Sequence, residues 1–180
     1  MNTDLATLVR AVDFAATKHT DQRRRNASAT PYVNHVIGVT RILVEAGVGD
    51  VSVLAAALLH DTIEDTDTTS SEIEHEFGVA IRTIVDEVTD DKSLEKHVRK
   101  QAQIDKAPAS STNAKLVKLA DKIHNLRSIE GDPPVGWDEK RISDYFDWAE
   151  KVTNGCRGVN AHMEAILDDL YSAHRTKRQQ

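Results

Sequence analysis

The chain has 180 residues and is 39% apolar, 29% charged and 4% aromatic, with 8 glycines and 4 prolines. This composition is sufficient for one domain with a buried core, excludes collagen-like and disordered classes, and disfavours an all-β sandwich. The formal net charge of −6 disfavours a nonspecific nucleic-acid-binding protein, although a local basic pocket could still bind an anionic small molecule.

The sequence also bears on cellular location. Its longest apolar run, residues 53–59, is far shorter than the roughly 20 residues of a membrane span. The N-terminus lacks the basic and apolar regions of a signal peptide. The single cysteine, Cys156, cannot form an internal disulfide, which fits a reducing compartment. We therefore expect a cytoplasmic protein with no membrane contact, and no obligate protein partner is evident.

Helical patterns recur along the whole chain. Apolar stripes at helical spacing, together with cap residues such as Asp4, Asp50 and the Ser71/Glu74 capping-box pattern, mark the segments. The predicted helices are residues 5–19, 34–46, 51–64, 71–78, 79–88, 92–107, 114–129 and 138–174, the last kinked at Gly155 or Gly158. We therefore predict an all-α fold: a single compact bundle of about eight helices in one domain, residues 1–180, with a frayed tail at 175–180.

The segment at the end of the third predicted helix carries the strongest chemical signal. An apolar run passes there directly into His60, Asp61, Glu64 and Asp65. Burying these ionisable side chains together is costly unless a cation or hydrogen bonds compensate. On a continuous helix, His60 and Glu64 would share one face, with Asp61 beside Asp65. A solvated helix end is the alternative, but acidic side chains there oppose the helix dipole.

Two further segments place a polar side chain next to apolar helical positions. His35 begins one predicted helix, and Asp121 lies inside the apolar stripe of another. Each alone is more often a satisfied core residue than a ligand. Together with His60 and Asp61, however, they offer two imidazoles and two carboxylates. This is a plausible donor set for one divalent ion, with positions left for water.

The order His, His-Asp, Asp resembles the metal-binding signature of the HD-domain superfamily, an all-α group of phosphohydrolases. The resemblance extends to the hydrolase domain of RelA/SpoT proteins through residues 30–35, 56–66, 77–78, 87–91 and 118–127. Length and residues 145–149 are similar to the stand-alone animal homologues of SpoT, the small alarmone hydrolases. The resemblance covers nearly the whole chain. One departure is Val36, which replaces a proline common after the first histidine and is not a ligand.

The resemblance implies an Mn²⁺-dependent hydrolase that removes the 3′-pyrophosphate of guanosine 3′,5′-bis(diphosphate), or ppGpp. It implies one ion bound by His35, His60, Asp61 and Asp121. It also implies that Glu64 and Asp65 position and deprotonate the attacking water. A divalent ion makes its water more acidic, and a nearby carboxylate can accept the released proton. The mixed donor set would also accept Fe²⁺, Co²⁺ or Zn²⁺.

A multiply charged nucleotide requires basic side chains. The three arginines at residues 23–25 precede Tyr32 and His35. An arginine side chain can stack on an aromatic ring and can donate two hydrogen bonds to a phosphate. Lys92, Lys96 and Lys100 are predicted to share one helix face. Without the resemblance, these groups would be read as solvated loops and helix faces. With it, the predicted substrate-binding residues are Lys18, Arg24, Arg25, Tyr32, Lys96, Asn125, Arg141 and Tyr145.

Other functions remain open at this point. The same pocket could remove the 2′-phosphate of NADPH, could serve another nucleotide phosphohydrolase of the HD group, or could bind a nucleotide without catalysis. In every case the predicted partner is a small phosphorylated nucleotide rather than a nucleic acid. The remaining histidines show no ligand grouping and are interpreted as surface or satisfied residues: His19, His75, His97, His124, His162 and His174.

Overall fold

A computed structural model describes residues 3–179, so Met1, Asn2 and the last residue of the predicted tail, Gln180, lie outside it. Within this range the chain forms ten α-helices, a 3-10 turn at Ala107–Ala109 and no β-strand. The helices are α1 (Thr3–Lys18), α2 (Val33–Glu45), α3 (Val51–Leu59), α4 (Thr62–Asp65), α5 (Ser70–Phe77), α6 (Val79–Val88), α7 (Lys96–Lys106), α8 (Thr112–Gly131), α9 (Glu139–Asn154) and α10 (Ala161–Lys177). The all-α prediction is confirmed.

One predicted helix, residues 51–64, is divided into α3 and α4. The His60 imidazole donates from Nδ1 to the carbonyl of Ala57 at 2.8 Å, and the Thr62 hydroxyl donates to the carbonyl of Leu59 at 2.7 Å. Side chains thus satisfy carbonyls at the C-terminal end of α3. The predicted sharing of one helix face by His60 and Glu64 is therefore wrong, because they lie on opposite sides of this break.

The predicted long helix, residues 138–174, is also divided, into α9 and α10, rather than kinked. Gly158 has a φ of 90°, and Asn160 caps α10 by accepting a hydrogen bond from the Met163 backbone at 3.0 Å. The Asn160 amide also donates to the carbonyl of Ala46 at 3.1 Å. The cap and this tertiary bond start a new helix. These two divisions account for ten helices where eight were predicted.

Three smaller predictions about helix ends are wrong. Helix α1 begins at Thr3, so Asp4 lies in its first turn and is not the cap. Thr69, not Ser71, caps α5 by accepting from the Glu72 backbone at 3.1 Å. Helix α7 begins at Lys96, so Lys92 lies outside it and shares no helical face with Lys96.

The core positions the site. Every residue of α3 from Val53 to Leu59 is at most 6% exposed, and α3 contacts α1, α2, α6 and α8. Helix α8 lies against α2, α3, α6, α9 and α10. The hydrophobic effect therefore holds α2, α3 and α8 against one another. No helix between residues 3 and 179 is both long enough and apolar enough to cross a membrane.

Candidate metal centre and nucleotide cleft

Four predicted ligands converge where α2, the end of α3 and the middle of α8 meet. The Nε2 atom of His35 lies 3.2 Å from Oδ1 of Asp121 and 3.5 Å from Oδ2 of Asp61. The Nε2 atom of His60 lies 3.1 Å from the same Asp61 oxygen and 3.7 Å from the same Asp121 oxygen. We call these four side chains the donor cluster. Ligand atoms of His35, His60 and Asp121 lie within 4.8 Å of one another, which makes this a possible metal site.

The chemistry of His60 fits a bound cation. Because Nδ1 donates to a backbone carbonyl, Nε2 is the ring nitrogen that faces the carboxylates and is available to a cation or to a second proton. This Nε2 atom is buried and has no hydrogen-bond partner among the described residues, yet it faces carboxylate oxygens. A lone pair and carboxylates repel one another unless a cation or a proton lies between them. Although burial lowers the pKa of His60, Asp61 and Asp121 raise it well above its ordinary value, so positive charge is favoured there.

The carboxylates are held from outside the donor cluster. Lys122 donates to Oδ2 of Asp121 at 2.7 Å, and Asn125 donates to Oδ1 at 2.7 Å. Arg24 in turn donates to the Asn125 side-chain oxygen, Oδ1, at 2.7 Å. Tyr32 donates its hydroxyl proton to Oδ2 of Asp61 at 2.6 Å. These bonds orient both carboxylates. They also link the donor cluster to Arg24, which lies between α1 and α2.

Glu64 lies beside the donor cluster in a partly buried position. Its Oε2 accepts the Asp90 backbone N–H at 3.3 Å, and Arg99 lies 3.6 Å from Oε1. Burial, with added repulsion from Asp61 and Asp90, raises the pKa of Glu64 to about 7. A carboxylate that exchanges its proton near neutral pH suits a general base.

Asp65 is held by two contacts that the sequence did not indicate. Gln22 donates to its Oδ2 at 2.9 Å, and the Lys92 ammonium contacts its Oδ1. The Gln22 side-chain oxygen lies 2.6 Å from Nδ1 of His19, which is buried against Tyr32. His19 thus supports Gln22 behind Asp65 through Nδ1, whereas its buried Nε2 has no hydrogen-bond partner among the described residues.

A cleft of about 590 Å³ opens beside His35. Of the eight predicted substrate-binding residues, five are among the described residues that line it: Arg24, Arg25, Tyr32, Asn125 and Tyr145. Asp65, His124 and Trp137 also contribute to the wall. The cleft therefore combines cationic, aromatic and amide groups next to the donor cluster, a combination suited to a phosphorylated nucleotide.

The other three predicted contacts are not part of the described lining of the cleft. Lys18 donates to Asp67 at 3.0 Å and to Glu72 at 3.3 Å, so its ammonium would have to leave two acidic partners to meet a ligand. Lys96 is exposed at the start of α7. The Arg141 guanidinium lies 4.7 Å from the ring centre of Trp137, which puts it next to the wall.

Residues 20–32, which we call the arginine loop, are tied to the connection between α8 and α9. Asp132 Oδ2 accepts hydrogen bonds from the Asn26 amide and the Ser28 hydroxyl, both at 2.7 Å. The Val135 N–H donates to the Arg25 carbonyl at 2.8 Å. Arg24 lies 5.7 Å from the ring centre of Tyr32. The loop is therefore held over the cleft by side-chain and backbone hydrogen bonds.

Sequence reasoning assigned no role at this site to His124. Its Nδ1 lies 2.9 Å from Nδ1 of His35, and burial, together with the neighbouring His35 charge, lowers its pKa to about 3. The three-residue spacing from Asp121 places both side chains on one side of α8 and could have indicated it. Lys122 was missed as well, since its pairing with Asp121 depends on burial.

Comparison with known proteins gives consistent matches. Residues 11–144 match the model of a family described as the HD domain. Mouse and human proteins named guanosine-3′,5′-bis(diphosphate) 3′-pyrophosphohydrolase MESH1 are each 54% identical over 172 residues, covering 95% of this chain and 96% of theirs. A solved structure described as a metazoan ortholog of SpoT that hydrolyzes ppGpp superposes with a TM-score of 0.91 at 50% identity, covering 93% of this chain and 95% of that one.

Proposed function

The chain belongs to the HD-domain family, and from this premise we propose that it is a metal-dependent hydrolase that converts ppGpp to GDP and pyrophosphate. The observation that carries the proposal is the approach of His35, His60 and Asp121 to within 4.8 Å beside a cleft of basic and aromatic side chains. The similarity to relatives with this named activity, along almost the full length of both chains, supports the same substrate.

We further propose that one Mn²⁺ ion is bound by His35, His60, Asp61 and Asp121. The mixed imidazole and carboxylate set supports this choice, although Fe²⁺, Co²⁺ and Zn²⁺ accept similar donors. When bound, such an ion acidifies water and stabilises charge that develops on a phosphoryl oxygen. The buried His60 Nε2 atom, which has no hydrogen-bond partner among the described residues, is the feature that most directly supports a cation here.

Glu64 and Asp65 handle the water in this proposal. Water attacks the phosphorus bonded to the 3′ oxygen, that P–O bond breaks, pyrophosphate leaves, and the 3′ oxygen gains a proton. Glu64 accepts the proton of the water, for which a pKa of about 7 is suitable. Asp65, fixed by Gln22 and Lys92, orients the water. The proximity of Glu64 to the donor cluster supports catalysis over mere nucleotide binding.

The nucleotide lies in the cleft with its charges on basic residues. Arg24 and Tyr32 stack near the base, Arg25 and Asn125 contact polar groups, and Tyr145 faces the ribose. Lys18, Lys96 and Arg141 are proposed as outer phosphate contacts that reach the ligand only after side-chain movement. The whole chain, residues 1–180, acts as one domain in the cytoplasm, with no nucleic acid, membrane or obligate protein partner.

The test is turnover of ppGpp by the purified, metal-depleted chain after Mn²⁺ is restored. We expect release of pyrophosphate and GDP. Asp61→Ala should lose both bound Mn²⁺ and activity, whereas the matched change at the exposed Asp13 should affect neither. Unchanged turnover in Asp61→Ala would remove this carboxylate from the mechanism. NADPH is assayed in parallel. A higher kcat/KM for removal of its 2′-phosphate than for hydrolysis of ppGpp would show that NADPH is the preferred substrate.

A further inference from the structure

His35 and His124 form a direct contact between two imidazoles. Their Nδ1 atoms are 2.9 Å apart, and the rings meet edge to face with centroids 4.7 Å apart. Two lone pairs, or two N–H groups, would repel one another at this distance. One proton must therefore lie between the nitrogens, and one of the rings is the donor.

The direction of this hydrogen bond follows from the other side of His35. Its Nε2 faces Asp61 and Asp121 at 3.5 and 3.2 Å, inside the donor cluster. A histidine binds a metal through an unprotonated nitrogen, so Nδ1 must carry the ring proton when Nε2 is a ligand. His35 then donates from Nδ1, and His124 accepts at its Nδ1 and carries its own proton on Nε2.

The surroundings hold His124 in this role. A Cβ atom at Gly38 would lie 2.3 Å from the His124 Nε2 atom, so the ring occupies the space that a side chain at position 38 would fill. The Ser128 hydroxyl donates to the His124 carbonyl at 2.8 Å, and this bond commits its proton to the backbone. The Nδ1 lone pair of His124 is therefore left for His35.

The two histidines of the donor cluster are thus oriented by different means. His60 donates to a carbonyl of its own helix, whereas His35 donates to a side chain on α8, the helix that also carries Asp121. We propose that His124 is a positioning residue that fixes the tautomer and ring orientation of His35 for metal binding, in space provided by Gly38. This inference rests on the proposed role of His35 as a ligand.

Titration of the metal-free full chain with Mn²⁺ tests the proposal. His124→Leu removes the acceptor at similar size, and we expect about 10–100-fold weaker Mn²⁺ binding. His124→Gln restores an acceptor oxygen and should recover most of the affinity, which a purely structural role would not predict. His97→Leu, an exposed histidine on α7, is the matched control and should bind as the unchanged chain does. A folded His124→Leu variant with unchanged affinity would overturn the inference.

A second measurement does not depend on the variants folding or on the metal. In the ¹⁵N-labelled unmodified chain, a coupling across the hydrogen bond between the two Nδ1 atoms should be detectable, and its absence would overturn the inference. If the coupling is present but neither the unmodified chain nor its variants bind Mn²⁺, the proposed metal function fails, and the positioning role for a metal ligand fails with it. Unchanged Mn²⁺ affinity in His124→Leu leaves the proposed function intact, so the two failures are distinguishable.

Discussion

The donor cluster and the arginine loop lie on either side of one cleft but are held by different forces. The side chains of His35, His60 and Asp121 are 1%, 6% and 15% exposed and come from helices that pack through the core. Arg25 and most of its loop neighbours are exposed, and hydrogen bonds to Asp132 hold the loop. Buried helices give the metal ligands fixed positions, whereas the loop can adjust to a ligand at low cost.

The largest effect is expected from a change inside the donor cluster. His60→Ala removes the imidazole that faces both carboxylates, which keep their other hydrogen-bond partners but lose this ring as a proposed metal ligand. Losing about 4 kcal/mol of charge stabilisation corresponds to roughly a 10³-fold loss of kcat/KM. Activity assays and metal analysis measure this loss. A variant that retains metal and more than a tenth of the activity would contradict the idea that buried groups dominate.

A smaller but still large effect is expected at Glu64. Its pKa of about 7 means that the base form predominates above neutral pH, so kcat/KM should fall as the pH is lowered through this pKa. A cation in the donor cluster would favour the ionised form of Glu64. It would therefore move this fall of kcat/KM, the acidic limb of the pH profile, to lower pH. Glu64→Gln should lower kcat by about 10²-fold, the low end of the range for general-base catalysis, and should abolish this fall of kcat/KM at low pH. Asp86→Asn, another partly buried carboxylate, is the control. A limb that persists in Glu64→Gln belongs to another group.

Arg24 tests the side of the cleft that belongs to the arginine loop. Arg24→Ala removes its bond to Asn125 and its approach to Tyr32. We expect KM for ppGpp to rise about 10–100-fold with a smaller change in kcat, since a hydrogen bond to a charged group contributes about 1.5–3 kcal/mol. Steady-state kinetics separates the two constants. Arg175→Ala, a surface change at a distant ion pair, should leave KM unchanged. A fall confined to kcat would place Arg24 with the catalytic groups instead.

The smallest effect is expected from loosening the loop without touching its arginines. Asp132→Ala removes the oxygen that accepts from Asn26 and Ser28. Because one of these bonds is exposed and the other only partly buried, KM should rise by less than about tenfold, while kcat and Mn²⁺ affinity stay unchanged. Asp132→Asn keeps an acceptor oxygen and should behave almost as the unchanged chain does. A loss of Mn²⁺ in Asp132→Ala would show that the anchor of the loop at Asp132, and not only the contact of Arg24, affects the donor cluster.

The same contrast explains what sequence alone could predict. His60 and Asp61 were found because an apolar helix passes directly into charged residues, a local signal. The partners Gln22 and Lys122 were missed because their contacts depend on distant elements or on burial. The predicted bundle was right because apolar periodicity is strong. The break before α10 was missed although Gly158 and Asn160 are both visible, since the tertiary bond of Asn160 to Ala46 is not.

If an ion and a nucleotide bind as proposed, the hydrogen bonds from Arg24 through Asn125 to Asp121 would link the two ligands. A nucleotide that draws the Arg24 guanidinium away from Asn125 would alter the orientation of the Asn125 amide. The amide would then alter the orientation of the Asp121 carboxylate, which faces both imidazoles. Linkage then requires reciprocity: whatever factor the ion contributes to nucleotide affinity, the nucleotide returns to the ion. Occupancy of the centre in a cell would therefore follow the concentrations of both.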